Sequence, residues 1–255
     1  MGEVRVLQPS GKAFTLVELL VVVALMGILL SLAVMGLQGV RNSGGIQSAV
    51  ATLSGTLETA RSYALAHQTY AYVGVFEADA MQPSLPETQE KGVGRLFVAV
   101  VATKDGTPGY NTYTGPSGWT MAYDGGTNLS AVVSMKVVPG IHLADLSQRT
   151  AGGMRRTVPV APAPLTGDTA PSETPFSWPV GSSLGGGKVN FDLVLQVSPR
   201  GTVSFLQGAD GPPPTAIEIG LQPCHGNTVP PSSDKGDCAA VQIDGINGSV
   251  TVYQP

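Results

Sequence analysis

The chain has 255 residues and a mass of 26.1 kDa, enough for one or two domains with a real core. Lys and Arg number 14 against 18 Asp and Glu, and the net charge of −4 argues against a protein that grips a polyanion backbone. Charged residues make up only 13% of the chain, while 33 Gly and 20 Pro favour short strands and turns over a helical bundle.

The first element in chain order is a long apolar helix. No residue from Leu19 to Val40 is charged, and the run is bounded by Glu18 and Arg41. About 20 such residues, rising ~1.5 Å each, cross a hydrocarbon core of roughly 30 Å. A cleaved secretory signal has an apolar stretch of only about 7 to 15 residues, so a retained membrane helix is the expectation. Arg5 and Lys12 precede the run and Arg41 follows it, which puts the N-terminus in the cytoplasm and everything after about residue 42 outside.

Glu18 at the mouth of such a helix needs a partner, because a carboxylate inside a bilayer costs about 3 kcal/mol at the midplane. No Lys or Arg lies one helical turn away. Cleavage before Phe14 would supply the missing cation as a new α-amino group, in the same molecule or in a neighbour. At about 4 Å and an effective dielectric near 20 that attraction is roughly 4 kcal/mol before desolvation is subtracted.

The segment Lys12-Ala13-Phe14-Thr15-Leu16-Val17-Glu18-Leu19-Leu20 resembles the leader-peptidase site of type IV prepilins and pseudopilins. The resemblance implies removal of residues 1–13 by a prepilin peptidase, with Ala13 before the cut, Phe14 as the methylated N-terminus and Glu18 as the assembly acid. That family usually has Gly before the cut, and Ala13 departs from it. The implied fold is α+β and pilin-like: a long helix, first transmembrane and then amphipathic, packed on an antiparallel sheet.

Beyond the apolar run, Gly44-Gly45 is expected to form a soft joint. Ile46, Val50, Leu53, Leu57, Ala60 and Ala64 then recur at helical spacing and predict an amphipathic helix over 42–67. Residues 68–255 form the expected β-rich head. Strands are expected at Tyr70–Phe76, Leu96–Thr103 and Leu129–Val138, with a turn at Pro139-Gly140. A Pro- and Gly-rich insertion at about 145–188 is expected to lie outside the core. Strands at Val189–Val197, Thr202–Leu206, Ala216–Leu221, Val241–Asp244 and Ser249–Tyr253 complete the sheet, the last two forming a hairpin around Gly245–Gly248.

The later part is most similar to the minor pseudopilin type called GspH or FimT, through Thr59–Ala66, Val138–Ile141, Val197–Thr202 and the closing hairpin. Pilin-like cassette proteins of Verrucomicrobia-type bacteria share the Ala-Phe-Thr-Leu-Val-Glu start and stay open as a sub-family. The resemblance implies a structural subunit of a type II secretion pseudopilus or type IV pilus. Its partners are other pilins, prepilin peptidase and the bacterial inner membrane, crossed once with the head in the periplasm before entry into a filament. The alternative is a surface-exposed minor pilin that binds DNA or another extracellular ligand, for which Arg149, Arg155 and Arg156 form the local basic cluster.

Cys224 and Cys238 enclose a Pro-, Ser- and Gly-rich segment, and outside the cytoplasm a disulfide between them is the expectation. A zinc site at Cys224, His225, Asp237 and Cys238 is the lesser alternative, since adjacent ligand pairs are not finger spacing. Asp234, Asp237 and Asp244 lack regular calcium-loop spacing. Gly181-Ser182-Ser183-Leu184-Gly185 matches a nucleophile-elbow pattern but precedes a strand rather than a helix. Gly187-Lys188 lacks the rest of a phosphate loop. His67, His142 and His225 show no sequence partner beyond the neighbourhood of Cys224. Neither catalysis nor a cofactor is expected.

Overall fold

The computed structural model describes residues 16–254 except 84, 86, 109–111, 115–119, 123–127, 147–162, 167–168, 170–171, 173–174, 183–185, 206–214 and 231–237. The side chains of 27–44, 112–114, 120–122 and 163 also lie outside the description. The chain divides into two compact units, Met1–Arg41 and Asn42–Pro255. Helix α1, Leu16–His67, is assigned across that boundary, and the joint expected at Gly44-Gly45 does not interrupt it.

The second half of α1 forms because apolar residues at 3.6-residue spacing can all be buried at once. Ile46, Ala49, Val50, Leu53, Leu57, Ala60 and Ala64 are buried as a stripe, as the periodicity predicts. Ser54 and Thr59 donate their hydroxyls to the carbonyls four residues earlier, which lets polar residues sit inside the helix. The helix ends where Gln68 takes a left-handed φ of 51° and the Thr69 N–H returns to the Ala64 carbonyl at 3.1 Å. Thr69 is buried in turn and its hydroxyl donates to the Thr103 carbonyl.

The sheet is antiparallel, as expected, and its main strands are β1 (Ala71–Asp79), β2 (Gly94–Thr103), β5 (Leu129–Ala144), β9 (Leu193–Val197), β10 (Val203–Ser204), β11 (Ala216–Pro223), β12 (Ala239–Asp244) and β13 (Val250–Tyr253). Their spatial order is β10-β9-β1-β2-β5-β11-β12-β13, and β6 (Ala163–Pro164) adds to β11 in parallel. Two small hairpins complete the described strands: β3 (Thr112–Thr114) with β4 (Thr120–Ala122), and β7 (Phe176–Trp178) with β8 (Val189–Phe191). The two ends of the main sheet meet, because the Val203 N–H of β10 donates to the Gly245 carbonyl of the β12–β13 turn at 2.9 Å. One face of the sheet packs on the α1 stripe through Val73, Val75, Leu96, Val98, Leu195, Ile219 and Val241.

The other face carries Tyr72, Phe76, Phe97, Ala99 and Val101, covered by Phe176, Val189 and Phe191 of the β7–β8 hairpin. Three findings here differ from expectation. The 145–188 segment contributes to the core after all, since Leu165 and Phe176 are buried. Pro139-Gly140 is no turn, because β5 runs through it with Gly140 at φ 72° and continues to pair with β11 as far as Ala144. The single strand expected at Val189–Val197 is broken at Asp192, a half-buried carboxyl whose pKa burial raises and the charge of Lys91 partly restores.

Gly74 in β1 marks the closest approach of the hairpin. A Cβ there would lie 2.6 Å from Phe176 and from Phe191. Gly74→Val should therefore lower the stability of the head by about 1–3 kcal/mol through overpacking, read as a shifted urea midpoint of the full chain in detergent. An unchanged midpoint would show that the hairpin does not press on β1.

Candidate functional site

Two features of the described chain have the chemistry of a site. The first is the start of α1. Every side chain from Leu16 to Met26 is exposed, with Leu16 at 79% and even the least exposed large apolar residue, Val22, at 44%. The apolar residues face all sides of the helix, whereas a helix in contact with water keeps a polar face. Glu18, also exposed, lies in the first turn, where the helix dipole favours an acid. Among the described residues no helix is long and apolar enough to cross a membrane; of the uncharged run, only Leu19–Met26 has described side chains. The cleavage and methylation positions Ala13 and Phe14 lie outside the described residues.

The second feature was not visible from sequence spacing. Glu77, on β1 and only 3% exposed, is a carboxylate in the middle of the head. Its Oε1 accepts the Gly94 N–H at 3.0 Å, and its Oε2 accepts the Leu143 N–H at 3.1 Å. His142 Nδ1 lies 2.9 Å from Oε1 and 3.2 Å from Oε2, so the imidazole donates to the carboxylate. The histidine that lacked a sequence partner thus has one 65 residues away. The topology explains the arrangement. β2 begins at Gly94, opposite Ile141, and β5 continues beyond that rung. The carboxylate of Glu77 takes the place of the missing strand and bonds the Leu143 amide. Gly94 has φ 106° and no room for a side chain against the Gly226 carbonyl.

Beside this pair is a cleft of about 420 Å³, lined by Glu77, Lys91, His142, Asp145 and Thr166 among others. One wall is formed by Lys91, Gly92 and Val93, and nearby the Arg95 guanidinium donates to the carbonyls of Ala80 and Gln82 and to Gln89 Oε1. Among the described residues no group of three or more His, Cys, Asp and Glu is placed to hold a metal ion. Asp237 of the zinc alternative and Asp234 lie outside the described residues, and Asp244 is occupied in accepting the Ile246 and Asn247 amides of the β12–β13 turn. Arg149, Arg155 and Arg156 also lie outside the description. His67 stacks on Tyr63 with ring centroids 4.2 Å apart. Ser182 sits between β7 and β8 in a hairpin, not between a strand and a helix.

Cys224 and Cys238 are both buried, and no bond joins them in this structure. The outermost β11–β12 rung pairs Leu221 with Ala239, which leaves Cys238 one residue and Cys224 three residues beyond it. Burial, and then the nearby Glu77 charge, push the Cys224 thiol up to about 11. Only about one molecule in a thousand would then hold the thiolate at pH 8. Cys224 should accordingly resist iodoacetamide in the folded protein at pH 8 and label in urea without reductant. Labelling only after reduction would instead establish the disulfide.

The comparisons place the first feature. No curated protein matches the chain. No solved structure matches it either. Proteins that carry the matching motif are structural rather than enzymatic, and the motif implies processing by prepilin peptidase and assembly with other pilins. Residues 10–34 match the prokaryotic N-terminal methylation motif, the signature of type IV pilins, and the chain is type IV pilin-like at this end.

Proposed function

We propose that the chain is a pilin-like structural subunit, a minor pseudopilin of a type II secretion pseudopilus or a minor pilin of a type IV pilus. Prepilin peptidase cuts between Ala13 and Phe14, and the new Phe14 amine is methylated. The subunit is stored in the inner membrane with its N-terminus in the cytoplasm and residues 42–255 outside. It enters a filament when its helix exchanges lipid for neighbouring helices. The observation that carries this reading is the methylation motif at 10–34 running into a helix whose described side chains from Leu16 to Met26 are exposed on every side. Such a surface is stable only when something apolar surrounds it, and lipid and a bundle of like helices both do so.

In this reading the chemistry is recognition of charge in an apolar setting. Glu18 costs free energy in the bilayer until it meets a cation, and the Phe14 amine of an adjoining subunit provides one without adding a side chain. The pair therefore sets the axial register of one subunit against the next. Catalysis has no part in it, and the head acts as the surface carried on the filament.

The intact mass of protein extracted from membranes tests the processing step. Loss of residues 1–13 with gain of one methyl group is expected, and a protein that still begins at Met1 would overturn the reading. Glu18→Ala should leave cleavage and head folding unchanged yet lower filament incorporation by about tenfold or more, because a net pair of only ~1.4 kcal/mol is already a factor of ten. Incorporation at the wild-type level would remove the charge-pairing mechanism while leaving the processing result intact.

A further inference from the structure

We propose that Glu77 is a latch across three strands, and that the cleft beside it is the seam at which the head opens. The carboxylate starts on β1, bonds the first amide of β2 and reaches the backbone and side chain of β5. A ladder spreads such bonds over many residues, whereas here they converge on one buried side chain. The end of β5 depends on that side chain on its β2-facing side, because β2 begins opposite Ile141 and offers Leu143 no rung.

Each wall of the cleft is anchored to its own part of the sheet. On one side, Arg95 donates to the carbonyls of Ala80 and Gln82 and to Gln89 Oε1, the Gln89 N–H donates to the Lys188 carbonyl, and the Gly92 N–H donates to the Glu77 carbonyl. On the other side, β5 from Ile141 to Ala144 pairs with β11, and the Leu165 N–H donates to the Glu218 carbonyl beside Thr166. Both walls can thus keep their internal bonds while the cleft between them widens. Glu77 supplies bonds that cross it. Releasing the carboxylate frees His142 and Leu143 without breaking the β5–β11 rungs. The opening is local, and it lies at the point where the chain leaves β5 for the insertion.

Amide hydrogen exchange on the full chain in detergent, resolved to single residues, tests the latch. Glu77→Gln keeps the shape of the side chain but replaces one acceptor oxygen with an amide group. His142→Gln leaves the carboxylate in place and serves as the second variant should Glu77→Gln fail to fold. Exchange at Leu143 and Gly94 should rise about tenfold or more in Glu77→Gln and several-fold in His142→Gln, while Val98, Val100 and the α1 stripe keep their wild-type protection. Unchanged exchange at Leu143 and Gly94 in the folded variants would overturn the latch. A uniform rise over the whole sheet would overturn it equally, since Glu77 would then contribute to global stability and mark no seam.

Discussion

The stripe from Ile46 to Ala64 is the contact on which the head depends. Its small members Ala49, Ala60 and Ala64 and its larger members Leu53 and Leu57 are buried in one cluster with residues of β1, β2, β9, β11 and β12. The sheet answers by curving until β10 reaches the β12–β13 turn, where the carbonyl of Gly201 stands against Gly248 and a side chain at 248 would not fit. An open sheet of this size would leave two bare edges; here the short β10 edge is tied off by a hydrogen bond to Gly245. The apolar surface of 46–64 is thereby satisfied inside one molecule.

The same principle gives the opposite result at the other end of the helix. Leu16, Val17, Leu19, Leu20, Val23 and Met26 have no described neighbour to cover them, and their exposure around the helix means that a single partner face would not suffice. A dimer seam needs one stripe, whereas a helix apolar all round needs a surrounding medium or several helices. This is the physical reason to favour membrane storage followed by a multi-helix filament over a simple dimer. It is also why Glu18 matters: amid uniformly apolar residues, one carboxylate is the feature able to distinguish one axial position from another.

The sequence made these two halves of α1 legible because periodicity is a local property. Ile46 to Ala64 repeat at threes and fours, and Leu19 to Val40 lack charge altogether. Most strands were legible for the same reason, as Val, Tyr and Phe cluster in β1, β2 and β12–β13. The departures have local causes that composition misreads. Pro139-Gly140 has the composition of a turn, but Gly140 can hold φ 72° inside β5 while the strand passes on to β11. Leu165 and Phe176 are isolated apolar residues among prolines, too sparse to signal a strand, yet Leu165 joins the core on the α1 side of the sheet and Phe176 helps to cover its outer face.

Glu77 and His142 were illegible for a deeper reason. Their pairing depends on β2 beginning at Gly94, and nothing near either residue encodes that a strand 17 positions later will start there. The one local sign was negative: a glutamate inside the apolar run Tyr72–Ala78 has to be compensated when buried, so its presence pointed to an unseen donor. The structure supplies two amides and an imidazole. A hydrophobic side chain at 77 would fill the space but leave the Leu143 and Gly94 amides without acceptors, and a buried unpaired amide costs more than a hydrogen bond gains. The acid is therefore fixed by the backbone it serves. Burial first, and the Glu77 charge second, raise the pKa of the Cys224 thiol.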